Sequence, residues 1–76
     1  MSSDNFTVLL KTLIVRQPFS AFTIELFGGR RYEIDHPKAL IVEDGIAGFF
    51  APGSLKILFD HESVNQIFDA PAQMIP

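Results

Sequence analysis

A chain of 76 residues with eight phenylalanines and no cysteine is one domain near the lower limit for folding alone, where only about 60% of the unfolded surface is buried. Lacking cysteine, it has neither a disulfide framework nor a thiolate metal site. Its net charge of -3 argues against a broad nucleic-acid footprint, which needs clustered Lys and Arg, and no apolar run approaches the ~18 residues of a membrane span.

Hydrophobic residues are 47% of the chain against 20% charged, an apolar balance that lets a short chain offset its conformational entropy. Met1 to Asn5 carry no basic segment, so no signal peptide is expected and the default location is cytoplasmic.

Ser3 and Asp4 are N-cap candidates, since their side chains can accept from unpaired amides of a first helical turn. Phe6, Leu9, Leu10 and Leu13 then follow the spacing of an amphipathic helix. Pro18 stops it, because the residue before a proline avoids the helical region. A helix over about 4–16 is predicted. Val8 and Val15 fall off its apolar stripe, either as scattered surface valines or as a contact with a neighbouring subunit.

The period then changes to two. Phe22, Ile24 and Leu26 alternate with Thr23, Glu25 and Phe27, as in a half-buried strand. Gly28 and Gly29 supply a tight turn, with Arg30 and Arg31 at its tip, and Tyr32 and Ile34 continue the apolar face. His36-Pro37 interrupts the ladder, since proline cannot donate to it. The chain resumes at 39–42. Asp44-Gly45 marks a hairpin before Ile46 to Ala51, and Pro52-Gly53 marks a type II turn before Leu55 to Phe59. A polar break at 60–63 precedes a last strand, Val64 to Phe68. The tail over 70–76, with two prolines, is expected to be loosely held.

Taking Arg31 to Glu43 as one strand bent at His36-Pro37 gives five strands. The class is therefore mainly β: an N-terminal helix followed, over about 21–69, by a small five-stranded barrel of SH3 or Sm type. The strong bend in the second strand lets so few strands close.

The segment Gln17-Pro18-Phe19-Ser20-Ala21-Phe22-Thr23-Ile24, then Gly29-Arg30 and His36-Pro37, resembles a set of short bacterial proteins. Their layout is a helix, a PFxPFxI stretch, a GR hairpin and HP, with Ala21 here standing where the pattern has proline. That resemblance implies the β-rich layout and no activity. By strand order alone the chain also resembles the Sm-like RNA-binding proteins, which assemble as rings. The Asp44-Gly45 turn lacks the Asn of their RNA loops, and Asp60-His61 stands in place of their Lys-His pair.

Catalysis needs a nucleophile or base with a partner in reach. Asp60, His61, Glu62 and Ser63 are adjacent, but neighbours in sequence point in different directions. His61-Glu62 opens like a zinc-protease motif, yet position 65 is Asn rather than the second His. Asp35-His36 with Asp60-His61 could hold a metal only if folding joined the two turns. No catalytic residue, metal or cofactor is expected.

Arg30 and Arg31 beside two glycines are candidates for an anionic ligand, against simple pairing with Glu25 or Glu33 across the strands. The uncharged run Ile46 to Ala51 places Phe49 and Phe50 on opposite faces, so one fills the core and the other meets water, the helix or a partner. Phe27 and Leu58 fall on the outward phase of their strands. The interaction surface expected from the sequence is Val15, Phe27, Phe49 and Phe50, on a non-catalytic module that self-associates or binds a protein partner. The alternative is a single-stranded RNA-binding ring, with bases stacked on Tyr32 or Phe49.

Overall fold

A computed structural model describes all 76 residues. Helix α1 (Ser3–Val15) is capped by Ser2, whose Oγ accepts from the Asn5 amide at 3.2 Å, and Asp4 sits in its first turn. The cap falls one residue ahead of the expected Ser3 because Ser2 keeps the extended backbone that a cap requires. Phe6, Leu10 and Leu13 point into the core, while Leu9 is left partly in solvent.

Six strands follow: β1 (Phe22–Leu26), β2 (Arg31–Ile34), β3 (Leu40–Glu43), β4 (Ile46–Ala51), β5 (Leu55–Asp60) and β6 (Val64–Phe68). They form two antiparallel three-stranded sheets, ordered β2-β1-β6 and β3-β4-β5. The expected five-stranded barrel is thus six strands in two sheets that do not close on each other. The stretch 31–43 supplies two strands rather than one. Between them His36 Nδ1 accepts from the Lys38 amide at 3.0 Å and Ala39 N donates to the His36 carbonyl, so the backbone turns on itself and leaves the first ladder. A short 3-10 turn, His61–Ser63, joins β5 to β6.

The inward residues of both sheets and of α1 make one core of twelve side chains, among them Phe6, Phe22, Ile24, Ile34, Phe49, Phe59 and Val64. Full burial of each large apolar side chain contributes about 1.5–3 kcal/mol. Helix α1 lies against β3 and the 61–63 turn. Its seat depends on Gly45, which has φ +80° and donates its amide to Thr7 Oγ1 at 2.8 Å. A Cβ there would fall onto Ser3 Oγ and lie 2.9 Å from His61 Cδ2, so only glycine fits.

The tail is not loose. Thr23 Oγ1 donates to the Ala70 carbonyl at 2.9 Å, the Ala72 amide to Glu33 Oε2 at 2.9 Å, and Arg31 Nη1 to the Pro76 carbonyl at 3.2 Å. Together these lay residues 70–76 along β1 and β2 and leave Thr23 wholly buried. At the other end of α1, the Arg16 guanidinium grips both Asp69 oxygens at 3.0 and 2.9 Å.

Candidate interaction face on the β3-β4-β5 sheet

Side chains alternate faces along a strand, and the ladder registers fix which ones share a face. Leu40 pairs with Phe49 and Phe49 with Ile57, which turns Phe49 inward; it is 7% exposed. The neighbouring row, Ile41, Gly48 and Leu58, therefore points outward, as do Glu43, Ile46 and Asp60 in the row beyond it. Phe50 and Lys56 pair in the third row. The result is a grid of eight outward residues with an apolar centre.

Ile41, Ile46, Phe50 and Leu58 are between 43% and 66% exposed on this face. Gly48 at its centre has no side chain, and Lys56 and Leu58 lean over it: an added Cβ would meet Lys56 Cε at 3.1 Å and Leu58 Cδ2 at 3.3 Å. A shallow groove follows, floored by Gly48 and walled by Ile41, Ile46 and Leu58, with Glu43 and Lys56 at its ends. Four large apolar groups on one face of one sheet are what a contact surface needs and what a monomer's solvation opposes.

The expected surface residues do not all gather here. Phe50 belongs to the face. Phe49 does not: it packs on Tyr32 with ring centroids 5.4 Å apart, and leaves no exposed ring for a partner. Phe27 stands exposed at the β1–β2 turn of the other sheet, and Val15 is exposed at the last residue of α1. Ile41 and Ile46 were not among the expected contact residues. The signal was present, since each of β3, β4 and β5 carries a large apolar residue on its outward phase.

Arg30 and Arg31 part company as well. Arg31 Nε donates to Glu25 Oε2 at 2.9 Å, Nη1 reaches Pro76, and the guanidinium lies 5.1 Å from the Phe68 ring centre. Nε and Nη1 of Arg31 are thus engaged within the chain, and of the two exposed arginines Arg30 is the one without an ion pair. Glu25 also accepts from Asn65 Nδ2 at 2.7 Å and Gln66 Nε2 at 3.0 Å. Hydrogen bonds from Gln66, Arg31 and Asn65 hold its carboxyl below the ordinary value.

Asp60 Oδ1 accepts from the Glu62 and Ser63 amides and the Ser63 hydroxyl. The Ser63 hydroxyl is the main reason its carboxyl is lowered. Ser63 thus binds the acid directly, with no histidine between them, while His61 Nδ1 lies 2.9 Å from the Met1 carbonyl. No three His, Asp or Glu side chains converge as a metal site.

A second concavity, of about 560 Å³, opens between the sheets beside Tyr32, Phe49, Phe50 and Ile57, with Glu33 and Asp35 on its rim. Tyr32 is half-buried there, its ring 6.2 Å from Phe59 as well as 5.4 Å from Phe49. Tyr32 and Phe49, the rings considered for base stacking, thus pack on one another and on Phe59 while lining this concavity. No helix is long and apolar enough to cross a membrane. Compared with family models, curated proteins and solved structures, the chain matches none.

Proposed function

We propose that this protein is a non-catalytic interaction module that self-associates through the outer face of its β3-β4-β5 sheet. One observation carries the reading: a complete core exists without Ile41, Ile46, Phe50 and Leu58, yet all four stand exposed together on one face. Eleven large apolar side chains are exposed in the chain, and gathering four of them on one sheet face forgoes burial that a partner would supply. His36, His61 and Ser63 engage backbone and carboxylate partners, which supports a binding rather than a catalytic role. The default compartment for such a module is the cytoplasm.

The arrangement also supports reading the fold as an opened relative of the SH3 and Sm small barrels. In that reading β2 and β3 are the two halves of the bent second strand, joined across residues 35–39, and the 61–63 turn joins the last two strands. The acidic character of the 43–44 and 60–62 turns weighs against the RNA-binding alternative.

The test is the absolute mass in solution, by light scattering after size exclusion, over a wide range of concentrations. The reading expects the mass to rise above the 8.5 kDa of one chain as concentration increases. A mass fixed at one chain throughout would overturn it.

A further inference from the structure

Resting on that reading, we infer that the partner on this face is a second copy, related by a two-fold axis running across the strands along the row Ile41–Gly48–Leu58. The argument is one of charge placement. The central row carries no charge, the row on one side ends in Asp60, and the row on the other side ends in Lys56. A rotation about the central row turns the Asp60 row of one copy onto the Lys56 row of the other. Ile46 then meets Phe50, Leu58 meets Leu58, and Asp60 faces Lys56 at both symmetry-related ends.

The charged groups are available for this. Lys56 has no carboxylate partner within the chain, its ammonium resting instead 5.4 Å from the Phe50 ring centre. Asp60 spends only Oδ1 on its own turn, leaving Oδ2 to accept. Glu43, the other acid of that row, is already turned to Lys11 of α1 at 3.5 Å. The other face-to-face arrangement, with the two-fold axis along the strands, sets Glu43 of one copy over Asp60 of the other. Like charges would then be opposed at both ends, and Lys56 would be left without a partner.

Gly48 lets the sheets approach at the axis. Sheets stack about 10 Å apart, and with no side chain at Gly48 the Leu58 side chain lies low over the centre of the sheet, where it can pack against Leu58 of the other copy. The contact is small. A grid of three strands covers on the order of 300 Å², below the ~800 Å² per partner of a standard interface. The dimer is therefore weak and concentration-dependent.

Because the chain has no cysteine, single cysteines report the register directly. Leu58→Cys is expected to form a disulfide-linked dimer under mild oxidation. Ile46→Cys is expected not to cross-link with itself but to do so when mixed with Phe50→Cys. Lys56→Glu sets like charges together at both ends and weakens association about tenfold, whereas Lys56→Arg preserves it. Self-linking of Ile46→Cys, or linking of Leu58→Cys only with Ile41→Cys, would assign the axis along the strands and overturn the inference. A wild-type oligomer whose cysteine variants link at none of these positions would leave self-association standing and remove this face from it. A wild-type chain that stays monomeric would remove both.

Discussion

The Lys56 ammonium lies 5.4 Å from the centre of the Phe50 ring, directly across the β4–β5 ladder. A cation over an aromatic face on an exposed sheet gains about 0.5–1 kcal/mol. The pair makes one border of the apolar face, and its neighbour Phe49, one residue back, is buried on the other side of the same strand.

That opposition predicts two different outcomes from two adjacent truncations. Phe49→Ala removes a core ring and costs about 3–5 kcal/mol, a large share of the stability of so small a domain. Phe50→Ala changes the stability of the isolated chain by about 1 kcal/mol or less, and instead reduces association. Urea denaturation at low protein concentration measures the first effect, and the mass at high concentration measures the second.

Gly45 and Gly53 form a matched comparison. Both have positive φ, +80° and +85°, so alanine strains each backbone by about 1 kcal/mol. At Gly53 the Cβ meets nothing within 4 Å, whereas at Gly45 it meets Ser3 and His61. Gly45→Ala is therefore expected to lower the melting temperature further than Gly53→Ala, with each kcal/mol worth about 4–8 °C in a domain of this size. Equal shifts would mean that α1 does not seat on the 44–45 turn.

Glu25 and Asp60 make stability pH-dependent in a definite direction. Both carboxyls are held below their ordinary values in the folded chain, so in acid the unfolded chain binds more protons than the native one. Stability then rises with pH through that window. It is fully present above the ordinary carboxylate values of about 3.9–4.3 and is lost as pH falls through the lowered native values. Glu25→Gln is expected to be less stable than wild type at neutral pH, with the gap closing in acid. Urea midpoints across the acid range check it, and a gap that widens in acid would contradict the assignment.

The tail offers a fourth test. Thr23→Val keeps the shape of a fully buried side chain while removing its hydrogen bond to the Ala70 carbonyl. It costs about 1 kcal/mol and speeds exchange of the Ala72 amide, which is held by Glu33 Oε2. An unchanged Ala72 exchange rate would mean that the tail is held elsewhere.

Much of the local structure was legible in the sequence. The 3.6-residue spacing from Phe6 to Leu13 marks α1, the alternation from Phe22 to Leu26 marks β1, and the glycine turns fall at 28–29 and 45. What stayed hidden depends on partners far along the chain. Alternation says that Phe49 and Phe50 face opposite ways, but only pairing with Leu40 and Ile57 decides which is inside. His36-Pro37 announces a break without showing that the strands on either side enter different sheets. The anchoring of the tail rests on Thr23, Arg31 and Glu33, about forty residues away, which no composition of 70–76 reveals. The hairpin offers Arg31 a partner in Glu25 or Glu33, and the structure selects Glu25, but its contact with Phe68 emerges only once β1, β2 and β6 are adjacent.

The outer face of β3-β4-β5 as an interface is tested most directly by sedimentation equilibrium of Leu58→Asp beside the wild type, with circular dichroism confirming that both are folded. Leu58 is exposed in one chain, so the substitution spares the core while placing a charge at the centre of the proposed contact. The account predicts a wild-type mass that climbs with concentration and a Leu58→Asp mass that stays at one chain. Equal association by the two proteins would contradict it.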